Sequence, residues 1–361
     1  MNLEKYLTDG VEKIVKDVVK STLSNPKESI FISGFAKSTK QAADIRRKYE
    51  NNGTHIPPFL IASITSQCNL HCAGCYARAN HSCADGCIPN QLSDLQWKRI
   101  FDEAASIGIS FILLAGGEPL VRKDVLLQAA KVKKTAFPVF TNGTMLDDEY
   151  CDFFSHNRNV IPMLSIEGDK CKTDKRRGNG VFDKLTNAME KLNKNKVLFG
   201  ASITVTTENI EEVTSDLFVN SLYKQGCRII IYVEYVPVKS DSIALAPSDN
   251  ERDFMVIQLA KLREKYDKML FISFPGDEKS SGGCLAAGRG FFHINANGGA
   301  EPCPFSPYSD TNIKDISLIK AINSPLFEKL RSSACLDDEH KGGCVLFNKK
   351  DEVESFLRGV K

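Results

Sequence analysis

The 361-residue chain lacks any strong excess of charge: 47 Lys and Arg against 45 Asp and Glu leave a formal net charge of +2. No broad field is available to draw in nucleic acid or an anionic membrane. It also lacks an apolar run of the roughly 18 residues that a membrane-spanning helix needs. Its opening residues, MNLEKYLTDG, are too charged for a secretory signal. The expectation is a cytoplasmic protein with no nucleic-acid partner and no transmembrane segment. What the chain has in quantity is cysteine, 12 residues of it, and a reducing cytosol does not sustain structural disulfides. Metal binding is then the leading explanation. Cys151, Cys171 and Cys227 stand alone in apolar patterns and read as small buried hydrophobes; the other nine are grouped.

Near the N-terminus, Leu7, Val11, Ile14, Val15, Val18 and Val19 form one helical stripe opposite Glu12, Lys13, Lys16, Asp17 and Lys20. Such a stripe packs on its own domain or rests on a membrane surface. Pro26 is expected to stop this helix, and a second, polar helix over about 37–49 to end at Gly53. From Pro57 onward, short apolar runs alternate with helical segments. The runs cover 57–64, 109–116, 137–143, 160–168, 197–205 and 228–236. Continuous apolar strands separated by helices imply a parallel sheet covered on its outer face. Six such units predict an α/β fold, a partial (β/α)6 TIM-like barrel open at one side. Ser93 and Gln96 read as a capping box opening one of its helices. After about residue 266 the alternation stops, which divides the chain into an N-terminal helical extension (1–55), the barrel (56–266) and a small cysteine-containing module (267–361).

In a barrel of this kind the chemistry sits at the C-terminal ends of the strands, and the polar punctuation of this chain falls there. After the first strand comes CNLHCAGC, which places Cys68, Cys72 and Cys75 at C-x3-C-x2-C. Three thiolates on one tight loop suit three irons of a 4Fe-4S cluster and leave the fourth iron open, whereas closed clusters use four. A zinc knuckle completed by His71 or His81 is the alternative. The spacing, in the loop after the first strand of a partial barrel, resembles the radical S-adenosylmethionine superfamily over about residues 56–240. That resemblance implies a cluster whose open iron chelates S-adenosylmethionine and delivers the electron that cleaves it to a 5'-deoxyadenosyl radical. It implies that Gly116, Gly117, Glu118 and Pro119 receive the methionine amino group, the two glycines permitting close backbone approach. It likewise implies that Ser165 and Glu167 meet the ribose and that Arg177, or equally Arg176, pairs with the methionine carboxylate. Asn142, and Ser202 or Thr204, are further strand-end candidates. The residue before the third cysteine is commonly aromatic in the family and packs near adenine; here it is Gly74, and Tyr76 is the nearby substitute.

Cys284, Gly298 and Cys303 resemble the opening of the auxiliary-cluster modules called SPASM and twitch, with a hairpin expected around Asn297-Gly298. Cys335 and Cys344 would complete one auxiliary 4Fe-4S cluster, with His340 a substitute for Cys335, and a structural zinc site the alternative. The dense later cysteine run of the full SPASM pattern is missing, so one auxiliary cluster is expected. Cys83 and Cys87 have no assigned partner. Phe274, Asp277, Glu278 and Glu234 are placed near the mouth, with an inward role favoured for Glu234. The functional expectation is hydrogen abstraction from a peptide or small molecule, with an electron donor such as flavodoxin or ferredoxin. Radical coupling or alkyl modification of a lipid, and a non-catalytic iron–sulfur carrier or scaffold, are the alternatives.

Overall fold

The computed structural model describes residues 3–22, 26–86, 89–237, 240–278, 282–333, 335–336 and 343–359. Strands β1 (Phe59–Thr65), β2 (Phe111–Gly116), β3 (Phe137–Thr141), β4 (Val160–Ser165), β5 (Gly200–Val205) and β6 (Ile229–Glu234) follow in order, each parallel to the last. These are the six expected runs. The sheet does not end there, because β7 (Leu270–Phe274) pairs in parallel with β6, Ile229 facing Leu270 and Val233 facing Phe274. The run at 268–274 is thus a seventh barrel strand rather than a lead into another module. Its apolar residues continue the β6 wall. At the opposite edge, β8 (His293–Ile294) pairs in parallel with β1 and antiparallel with β9 (Ala300–Glu301), which is the hairpin expected around Asn297-Gly298.

Alternation along the strands divides the apolar residues between two faces. Leu60, Ala62, Ile64, Ile112, Leu114, Val139 and Leu164 pack outward against the covering helices. The helix over Asp94–Ser106 is one of these, and the Ser93–Gln96 capping box opens it as expected. Phe59, Phe111, Ile161, Ile229 and Leu270 point the other way, where the N-terminal helices meet them.

Helix α1 (Leu3–Thr22) buries Leu7, Val11, Val15 and Val18. Val11 and Val15 lie with Phe35, Phe111 and Ala136, and Val18 with Ile32, Ile161 and Leu270. The stripe is therefore spent inside the protein, not offered to a membrane. Helix α2 runs from Pro26 to Asn51, so Pro26 opens the second helix instead of only ending the first. Proline is at home at the first helical position, where its missing N–H would lack a partner anyway. At the far end Thr54 N–H donates to Tyr49 O and Gly53 N–H to Glu50 O, the paired bonds of a Schellman cap.

Two buried charges tie the helix pair to the barrel. Arg46, 2% exposed, donates through Nη1 to Gly108 O at 2.7 Å. Glu28, 1% exposed, accepts from Leu198 N–H at 3.0 Å and from Arg158. Burial raises the Glu28 carboxyl above its ordinary value, against the pull of Arg158. Removing one partner of such a pair leaves an uncompensated buried charge. Arg158→Ala should lower stability by about 3 kcal/mol in urea unfolding at neutral pH, and Glu28→Gln in that background should restore most of the loss.

Candidate functional site

The loop leaving β1 brings Cys68, Cys72 and Cys75 to the lip of a cavity of about 1100 Å³ inside the barrel. Backbone bonds fix the loop from both sides. Cys68 N–H donates to Ala84 O at 3.0 Å, Ala73 N–H to Arg176 O at 2.7 Å, and Arg78 Nη2 to Leu70 O at 2.7 Å. The glycines at the end of β2 supply the third support. A Cβ on Gly116 would stand 2.2 Å from Thr65 O, and one on Gly117 would stand 2.1 Å from Gln67 O. Gly117 N–H donates to Thr65 O and Glu118 N–H to Gln67 O, each at 2.8 Å. The close approach that the glycines permit is thus first to the root of the cysteine loop. His71, the histidine within the cysteine loop, turns to Asp85 at 2.9 Å. A cluster spreads its thiolates over separate irons.

The strand-end residues hold one another. Glu118, 1% exposed, accepts from Thr141 Oγ1 at 2.7 Å and Leu120 N–H at 3.0 Å through Oε1, and from Asn142 N–H at 2.8 Å through Oε2. Burial raises its pKa to about 7 against these bonds. Pro119 follows as the first residue of a short 3-10 turn. Asn142 donates to Asn69 Oδ1 at 2.8 Å, tying β3 to the cysteine loop. Glu167 accepts from Arg177 Nε at 2.8 Å, Arg176 Nη1 at 3.2 Å and the backbone N–H of Thr204 at 3.1 Å. The carboxylate expected at the ribose and the two arginines considered for the methionine carboxylate are therefore one buried network. Burial works to release the Arg177 proton, but Glu167 and Cys72 together hold it more tightly than usual. The Cys72 thiol is raised by its burial, which outweighs both arginines. Ser165, Ser202 and Thr204 line the cavity beside this network.

Tyr76 lines the cavity, while the space directly beside Gly74 is left to another side chain. The Tyr76 ring packs on Phe305 at 4.7 Å, toward the C-terminal residues, and burial raises its hydroxyl pKa. Tyr235, just past β6, fills that place: a Cβ on Gly74 (φ +67°) would lie 2.7 Å from the Tyr235 hydroxyl oxygen and 2.8 Å from its ring. Tyr235 is 3% exposed, lines the cavity, and its hydroxyl has no hydrogen-bond partner among the described residues. Nothing local in the sequence marks it, because the contact joins residues 161 positions apart.

Cys284, Cys303 and Cys335 are buried, and Cys303 reaches Cys344 and stands near Cys284. Cys284 N–H donates to Leu336 O at 2.9 Å, bringing the residue after Cys335 alongside. His340 and Cys87 lie outside the described residues. Cys83 packs behind Cys68, away from the cavity lining, and its thiol lowers the Cys68 pKa. Cys151 and Cys227 are buried as expected, but Cys171 is exposed on the helix Lys170–Arg177. Glu234 lines the cavity and also pairs with Arg252, Nε at 2.9 Å, so it faces inward and has a structural partner at once. Asp277 pairs with Arg263, while Phe274 lines the cavity; the side chain of Glu278 lies outside the described residues. The β8–β9 hairpin is locked to the barrel by Ser63 Oγ, His293 and Glu301, joined in a chain of two 2.7 Å hydrogen bonds.

A parallel partial barrel with three loop cysteines over its first strand is the architecture of an iron–sulfur enzyme that works at strand ends. Residues 62–217 match the model described as the Radical SAM superfamily, a family that uses a 4Fe-4S cluster and S-adenosylmethionine. Similar sequences include the AdoMet-dependent heme synthase of Methanosarcina barkeri, 29% identical over 82% of this chain and 90% of that protein. Another is the sporulation killing factor maturation protein SkfB of Bacillus subtilis, 29% identical over 69% of this chain and 61% of that protein. Among solved structures, Streptococcus suis SuiB is similar in fold, with a TM-score of 0.68 and 17% identity over 87% of this chain and 79% of that one.

The Gly117 contact yields a direct test. Gly117→Ala should preserve the far-UV circular dichroism of the barrel but displace the cysteine loop, lowering the iron retained after anaerobic reconstitution by roughly the four atoms of one cluster.

Proposed function

We propose that this chain binds a 4Fe-4S cluster through Cys68, Cys72 and Cys75 and S-adenosylmethionine against the β2–β6 strand ends, and uses them to abstract hydrogen from a substrate held in the barrel. When bound, the pair supplies one-electron cleavage of the carbon–sulfur bond to a 5'-deoxyadenosyl radical. The observation that carries this reading is that three thiols of one loop share a cavity lip with the β2–β6 strand ends. The residues present fit the group in a second way, because the buried Tyr235 hydroxyl has a hydrogen-bonding capacity that no described residue uses and adenine offers it a partner.

The chain's own residues divide the remaining work. Glu118 Oε2 accepts a single described hydrogen bond and keeps room for an ammonium group. The Arg176–Arg177 pair, charged and mostly buried, offers guanidinium edges to a carboxylate while Glu167 offsets one of the two positive charges. Ser165, Ser202 and Thr204 present hydroxyls to a ribose. In the C-terminal module, Cys284, Cys303 and Cys344, with Cys335 as the fourth thiolate, hold one auxiliary 4Fe-4S cluster. An electron donor of the flavodoxin or ferredoxin type is the expected partner. The relatives are named for heme synthesis and for maturation of a sporulation killing factor.

Reconstituted protein given dithionite and S-adenosylmethionine without oxygen should release 5'-deoxyadenosine, measured by chromatography. A Cys68/Cys72/Cys75 triple alanine variant should release none, with iron falling from about eight to about four per chain. Zinc in that variant in place of iron would overturn the auxiliary cluster.

The elevated Glu118 pKa has a binding consequence. An ammonium beside Glu118 favours its carboxylate, so below pH 7 the cofactor must displace a proton, and affinity should fall by up to tenfold per pH unit between pH 7 and pH 5. Calorimetry in two buffers should show that proton release, and Glu118→Gln should abolish it.

A further inference from the structure

We infer that the substrate of this site is one elongated, largely hydrocarbon molecule with a single polar end, held in the barrel beneath the strand-end ring. The inference rests on the proposed reading and adds the substrate class. Level with Ser165 and Ser202, the cavity wall continues as Ile231 and Ile272, and further in it is formed by Ile61, Leu113, Phe140 and Met163. None of these side chains donates or accepts a hydrogen bond, and the strand backbones carrying them are already paired with their neighbours. The floor is the buried apolar stripe of α1, with Phe31 and Phe35 of α2.

Such a wall discriminates by what it cannot satisfy. A peptide brings a donor and an acceptor at every residue, and each would be stripped of water here without a partner. Methylene groups lose nothing on entry and gain from leaving water. Volume points the same way: at about 1100 Å³ the cavity exceeds the roughly 300–1,000 Å³ that usually encloses one ligand, leaving room for a second molecule beside a nucleoside cofactor. Away from the strand-end ring, charged lining is supplied by α1, at Asp9, Lys13, Asp17 and Lys20, and by the residues around β7, at Arg263, Asp267 and Asp277. That charged lining suits the polar end, while the chain extends inward toward the radical site. The apolar stripe of α1 thus serves as the cavity floor and needs no contact with a bilayer.

The test uses full-length, anaerobically reconstituted protein titrated with 11-(dansylamino)undecanoic acid. Saturable binding of one probe per chain, with blue-shifted emission, is expected. Leu113→Trp, which fills the cavity, should weaken the probe at least tenfold, whereas Leu217→Trp on the outer surface should leave its affinity unchanged. Met163→Ala, which lengthens the cavity, should shift competition from dodecanoate toward hexadecanoate, and it keeps the test alive if the tryptophan variant fails to fold. Absence of saturable binding, or an equal effect of both tryptophan variants, overturns the inference. So does displacement of the probe by a water-soluble hexapeptide, or tighter competition by deuteroporphyrin than by hexadecanoate. Release of 5'-deoxyadenosine by the wild type is measured separately, so that radical chemistry without probe binding counts against the substrate class alone.

Discussion

The cysteine loop depends on a backbone contact more than on its own sequence. Three cysteines within eight residues make no site unless something fixes the loop relative to the barrel, and that is done where the end of β2 presses on Thr65 and Gln67. The register between β1 and β2 shifts between Ser63 and Thr65 at this point, so the two chains meet face to face beyond their last regular pair. Gly116 and Gly117 are needed because neither backbone has room to retreat. The support then spreads sideways. Glu118 joins β2 to β3, Asn142 joins β3 back to Asn69 in the loop, and Arg176 holds Ala73 from the segment after β4. Displacing any one of them moves the thiols.

Electrostatics at this site follow from the same crowding. Burial raises the Glu118 carboxyl and the Cys72 thiol together, which opposes accumulation of negative charge around the loop. Arg176 and Arg177 provide the counterweight, and Glu167 offsets one of their two positive charges, leaving a net +1 on the trio. A ligand carrying an ammonium and a carboxylate adds one charge of each sign to it. Such a ligand disturbs the balance less than a simple anion or cation would, because each of its charges finds a partner in an environment where unpaired charge is costly.

The barrel and its active face were legible from the chain because they rest on local signals: apolar runs of strand length, glycine and polar punctuation at their ends, and cysteine spacing. What was illegible depends on distant contacts. The six runs were visible, but β7 was assigned to another module because its wall position depends on pairing with β6. Glu167 and Arg177 are both expected at the strand ends from the sequence, yet their mutual ion pair is a matter of where the helix Lys170–Arg177 lands. Pro26 shows the ambiguity in its simplest form, since proline both ends one helix and begins the next, and only the continuing stretch to Asn51 decides. The stripe on α1 was read correctly as amphipathic; that it faces the barrel's interior follows from three-dimensional closure.

The exchange at Gly74 shows how a departure from a family pattern is resolved by volume. Losing an aromatic side chain from the cysteine loop would open space beside the thiols, and an open space there admits water to a site that must protect a reactive species. Tyr235 closes it from the opposite strand, its ring so near Gly74 that no larger residue fits. In this chain the two positions are filled together, glycine on the loop and tyrosine after β6. The Tyr235 solution differs in one respect. Its hydroxyl sits on the residue that directly follows β6, while Arg176 lies over its ring at 5.9 Å. The aromatic wall is thereby coupled to the same arginine that braces Ala73 and pairs with Glu167. Loop position, charge balance and closure of the cavity are carried by a single connected set of side chains.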